Sequence, residues 1–115
     1  MRMTQTFVAA ALGLVASVSQ AGVNCPAGSV KVVECETKNI SFADCHTSLD
    51  GSAIVSSSGL FARSSIAPEV GAMKAVRGLT RGSGIVELRY FPNSGTQPGE
   101  VVLAGEKLPA KCTVP

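Results

Sequence analysis

Four cysteines constrain this chain more than any other feature. Cys25, Cys35 and Cys45 stand near its start and Cys112 near its end. Paired, they would tie the first segments of the chain to one another and to the last. Whether they pair depends on the compartment, and the first 21 residues bear on that. Arg2 gives a positive start, Phe7 to Val18 is an apolar run, and Ser19-Gln20-Ala21 places small residues before Gly22. This is the pattern of a secretory signal peptide. The run is too short to cross a ~30 Å hydrocarbon core as a helix. The expectation is a leader over residues 1–21 and one exported domain over residues 22–115, in a bacterial periplasm or the extracellular space. The residue before Cys25 is Asn24, a poor fit to a lipoprotein anchor.

An even number of cysteines in a small exported domain reads as a disulfide framework. The domain has reason to use one. Its core is lean, with no Trp and with Phe42, Phe61, Tyr90 and Phe91 as its aromatics. Small lean cores gain from covalent staples.

Short apolar runs recur every 8–12 residues with turn residues between them, which points to an all-β fold. They cover Val30–Glu36, Ile40–Leu49, Ala53–Ser57, Leu60–Ser64, Gly84–Phe91 and Glu100–Ala104, with a last short strand carrying Cys112. Asp50-Gly51 is a hairpin signal. Val86, Leu88 and Tyr90 alternate with Glu87 and Arg89, as on a strand with one buried face. Pro92-Asn93-Ser94-Gly95 opens a loop expected to run to Pro98-Gly99. Pro68 to Leu79 breaks the pattern. Pro68 stands at a plausible first helical position, Val70, Met73 and Val76 recur every third residue, and Gly78 could cap the end. The spacing predicts a short helix there. The expected fold is a small antiparallel sandwich or partly open barrel of six to eight strands, with that one short helix.

Chain reach bears on the pairing of the cysteines. If Ser29 to Cys35 is extended it spans about 20 Å. Cys25 to Ser29 reaches back at most ~14 Å. The gap left is near the ~7 Å limit for a bridge, which disfavours Cys25–Cys35. A turn at Thr37-Lys38-Asn39 sets Cys45 opposite about Lys31, at the end where Cys25 lies, and Cys35 opposite about Ser41. The reading is therefore Cys25–Cys45 with Cys35–Cys112.

No motif fixes an activity. Ten Lys/Arg stand against eight Asp/Glu, and Arg2 belongs to the leader. This near balance leaves no footprint for nucleic acid and no polybasic membrane signal. No second hydrophobic span follows the leader, and no cofactor motif is present. His46 is the single histidine. Asp44, His46 and Ser48 are the residue types of a nucleophilic triad, but on a strand they form a linear ladder, read as a polar solvent-facing side. A small hydrolase on His46 therefore ranks last. Cys45 and His46 point to opposite faces of a strand, and the ten-residue cysteine spacing lacks the close pairs of structural zinc, so no metal is expected.

Glu34 and Glu36 read as a solvated strand face rather than the acids of a sugar cleft. Arg77, Arg81 and Arg89 form a basic cluster, with Arg81-Gly82-Ser83-Gly84 a plain turn rather than an anion loop. Asn39-Ile40-Ser41 is a glycosylation sequon that matters only in a eukaryotic secretory pathway. The Gly59–Ser65 segment is less bland. In an exposed, braced loop, Arg63-Ser64 would suit a trypsin-like protease. The leading expectation is a non-enzymatic binding or structural module, whose partner could be another exported or envelope protein. The alternative is a protease inhibitor presenting Arg63 and Ser64.

Overall fold

The computed structural model describes residues 22–38, 40–48, 51–80 and 84–115, with the side chains of 60–62 and 80 left aside. The leader, Asn39, Asp50 and Arg81 lie outside the described residues. Eight strands follow one another: β1 Val30–Glu36, β2 Ser41–Thr47, β3 Gly51–Ser56, β4 Gly59–Val70, β5 Met73–Thr80, β6 Gly84–Tyr90, β7 Gly95–Leu103 and β8 Glu106–Val114. Each pairs antiparallel with the next, and β8 returns to β1, so the sheet closes into an up-and-down barrel. Closure removes the exposed sheet edges that invite aggregation.

Alternation along each strand fills the interior. Val33 and Cys35 of β1, Phe42 of β2, Ile54 of β3, Val76 of β5, Val86, Leu88 and Tyr90 of β6, Val101 of β7 and Cys112 of β8 form one buried core. The intervening residues face outward, as the strand period of two requires. Outside the barrel, Glu87 lies between Arg77 and Arg89. Its carboxylate accepts from Arg77 Nε at 2.8 Å and from Arg89 Nε at 2.7 Å, and Arg89 also reaches Glu100 at 3.1 Å.

The helix expected over residues 68–79 does not form. These residues make the β4–β5 hairpin, with Val70 opposite Met73. Gly71 takes a φ of +60°, which turns the chain back where a right-handed helix would need a negative φ. Pro68 falls in the irregular register between Ala67 and Val70, where its missing N–H is tolerated. The every-third repeat divides across the turn: Val70 and Met73 close the hairpin while Val76 enters the core.

The loop expected through Pro98-Gly99 is also shorter. β7 begins at Gly95 and pairs with β8 along its whole length, whereas its pairing with β6 starts at Glu100. Pro98 therefore sits where the strand has one neighbour.

Both disulfides take the expected pairing. In the first hairpin Cys45 stands opposite Lys31, and Cys35 opposite Phe42. The two bridges act on different surfaces. Cys25–Cys45 lies outside the barrel, where Val23 packs with Ala43 and Cys45 against Val55. It fastens the N-terminal segment to the outer wall. Cys35–Cys112 lies inside, at the seam between β1 and β8. That seam has three registered pairs, Glu34 with Thr113, Cys35 with Cys112 and Glu36 with Lys111, and the bridge occupies the middle one. Gly99 makes room for it. A Cβ there would come within 2.5 Å of the Arg89 carbonyl and 2.6 Å of Cys112 Sγ.

Candidate functional site

The apolar core does not fill the barrel to both ends. A cavity of about 510 Å³ opens among β1, β2, β3, β4, β5 and β6, and Asp44, His46, Ser64, Lys74, Ile66 and Tyr90 are among its lining. Strand register brings them together. Asp44 and His46 share the face of β2 that also carries Phe42, a core residue. Lys74 stands opposite Tyr90, and Ser52 opposite His46.

This corrects the solvent-facing reading of the Asp44–His46 side. That face looks into the barrel, while Cys45 lies on the outer wall. Asp44 is 6% exposed. Ser64, reaching over from β4, donates its hydroxyl to Asp44 Oδ1 at 2.8 Å. Burial pushes the Asp44 pKa above its ordinary value, against the Ser64 hydrogen bond and the charge of His46. Tyr90 is also buried, and its pKa is pushed up by burial and then by the negative charge of Asp44. The acid and the phenol thus line one cavity, and the charge of the first acts on the second.

Asp44, His46 and Ser64 are not hydrogen-bonded to one another in the order of a nucleophilic triad. A triad needs the base to hold the hydroxyl and the acid to orient the base. Here the Ser64 hydroxyl donates to the acid, and no hydrogen bond joins His46 to a hydroxyl among the described residues. Ser48 lies past the end of β2 and does not line the cavity. What the arrangement offers is a buried carboxylate, a hydroxyl and an aromatic ring beside aliphatic walls. This is the mixture of apolar lining and a few placed polar groups that binding cavities use, often in barrel mouths.

The other sequence candidates fall elsewhere. Arg63 and Ser64 do not form a loop. They lie within β4, with Arg63 opposite Ala53 on β3 and Ser64 opposite Gly78 on β5. Arg63 is exposed, and Ser64 is committed to Asp44. Strand pairing on both sides explains the difference: a protease takes its substrate as an extended segment free to enter a cleft, and this one is already in a sheet. Glu34 pairs with Lys31 on β1. Arg77 and Arg89 converge on Glu87 rather than on an open anion site.

All four cysteines are bridged, and no group of three or more metal-ligating side chains occurs among the described residues. Lys74 and Tyr90 were not singled out as site residues by their spacing, although the inward set Val86, Leu88, Tyr90 was legible. The usable signal for Asp44 was its place two residues from Phe42. The chain matches no family model, no curated protein and no solved structure.

Proposed function

We propose that this protein is an exported, non-enzymatic binding module that takes a small molecule into the mouth of its barrel. The observation that carries the reading is the cavity of about 510 Å³, bounded by Asp44, Ser64 and Tyr90 on its polar side and by Val32, Ile66 and Val76 on its apolar side. Its size falls within the range of roughly 300–1,000 Å³ typical of small-molecule sites. Eight-stranded barrels have room for one such ligand.

Export is supported by the leader pattern and by two disulfides, which suit an oxidising compartment such as the periplasm or the cell exterior. The outer wall carries Lys31, Glu34, Arg77, Glu87, Arg89 and Lys111, whereas a membrane barrel turns an apolar band outward. The reading therefore places the barrel in water.

The test is a small-molecule screen by thermal unfolding, run in parallel on the wild type and on Ser52→Phe. Ser52 lines the cavity and is partly exposed, so a phenyl ring there fills the mouth without entering the packed core. Compounds that raise the Tm of the wild type but not of the variant support the reading. A screen whose hits stabilise both proteins equally contradicts it.

A further inference from the structure

We infer that the barrel mouth selects an organic ammonium ion with a short apolar body, seated by the Asp44 carboxylate. The inference rests on the binding-module reading and adds the chemical class of the ligand.

A buried carboxylate is normally paired with a cation or held by several donors, because removing the charge from water is costly. Asp44 is 6% exposed and has one side-chain hydrogen bond, from Ser64. It forms no ion pair among the described residues, whose ion pairs involve Glu34, Glu87 and Glu100. Asp44 is also one of the residues that bound the cavity. The missing partner therefore has a place to sit. An ammonium group donates to carboxylate oxygen with charge-assisted strength.

The charges at the rim do not supply that partner. Lys74 lines the mouth but is exposed and makes no ion pair with Asp44. His46 is exposed and acts on Asp44 only through its charge, without an ion pair or hydrogen bond to it among the described residues, and Glu69 at the rim is acidic and exposed. Two basic and one acidic group at the entrance leave the selective charge at depth, on Asp44.

The rest of the lining defines the body of the ligand. Tyr90 lines the same cavity as the acid, and rings attract cations over their faces. Val76 and Val32 add aliphatic wall. Ile66 is the most telling of these. It belongs to the cavity lining yet is 94% exposed, an apolar side chain at the mouth that a bound apolar group would cover. A bare metal cation would leave that surface wet, and a polyol would gain little from it.

The test is isothermal titration of the disulfide-intact protein with phenethylamine, phenethyl alcohol and phenylacetate, which share a body and differ in the charge of the head. The amine is expected to bind at least about tenfold more tightly than the alcohol, as a hydrogen bond to a charged group allows, and the acid more weakly still. Asp44→Asn, which keeps an acceptor for Ser64, should bring the amine down to the level of the alcohol. Far-ultraviolet circular dichroism on that variant confirms that it folds.

Equal binding of amine and alcohol overturns the ammonium assignment while leaving the cavity as a site. Preference for phenylacetate overturns it in favour of Lys74 and His46 as the selecting charges. Binding of none of the three at millimolar concentration overturns the assignment alone. The wider reading falls only if the library screen also yields no compound blocked by Ser52→Phe.

Discussion

Asp44 and Glu87 are both buried carboxylates, 6% and 4% exposed, and their surroundings act on them in opposite directions. Burial dominates at Asp44 and raises its pKa. At Glu87 burial would also raise it, but hydrogen bonds from Arg89 and Arg77 outweigh burial and hold the carboxyl below its ordinary value. Linkage then fixes the signs. The contribution of Asp44 is fully present below its ordinary pKa of 3.8 and is lost as pH rises through the raised folded value. The contribution of Glu87 is present above its ordinary 4.5 and is lost as pH falls through the depressed folded value. Asp44→Asn is therefore expected to stabilise the protein at neutral pH and to lose that advantage in acid. Glu87→Gln is expected to cost ~2 kcal/mol at neutral pH, with the difference shrinking in acid. Urea unfolding at neutral and acid pH checks both. Gly99 acts by its size. Gly99→Ala would drive a Cβ into the Arg89 carbonyl and Cys112 Sγ, and should lower stability by about 1–3 kcal/mol, as measured by the denaturation midpoint.

The strands were largely legible because their cores alternate. The β1 span Val30–Glu36 was read as it stands, and Gly84–Phe91 differs from β6 by its last residue. The β4–β5 hairpin was not legible, because its turn depends on the backbone of one glycine. Gly71 costs a helix only about 1 kcal/mol, which weakens a helix without excluding it, yet in this fold it supplies the left-handed conformation that reverses the chain. Pro68 reads locally as a helix start, but tertiary pairing places it in an irregular stretch of strand. The β7 strand was hidden for a similar reason: Pro98 and Gly99 look like a loop, and β8 nevertheless pairs with both. The site suffered most. Asp44 and His46 looked solvent-facing because polar residues outnumber apolar ones on that face of β2, whereas Phe42 on the same face decides its direction. The β7–β8 turn yields a prediction at this scale. Ala104 holds a φ of +51° between Leu103 and Gly105, a conformation that costs an L-residue about 1–2 kcal/mol. Ala104→Gly is expected to raise stability by ~1 kcal/mol, net of glycine's greater freedom in the unfolded chain, and a shift in the thermal midpoint would show it.

The described strands close into a barrel along the β1–β8 seam, with a cavity lined by Asp44, Ser64 and Tyr90. The Cys35–Cys112 bridge closes a separation of 77 residues at the seam, and Cys25–Cys45 closes one of 20 on the outer wall. Loop entropy assigns them ~4 and ~3 kcal/mol, but their structural consequences should differ more than these values do. Replacing Cys35 and Cys112 with Ser should raise amide exchange along β1 and β8. Replacing Cys25 and Cys45 should free residues 22–29 and leave the barrel closed. The seam and core join the strands of the wall, and the mouth is where the wall turns a polar face inward. The most direct measurement is amide chemical-shift mapping of a fragment library on the disulfide-intact protein. The account predicts that shifts concentrate on Asp44, His46, Ser52, Ser64, Ile66, Lys74 and Tyr90. Fragments that instead gather on the exposed outer pair Leu79 and Ile85, with the mouth unperturbed, would contradict it.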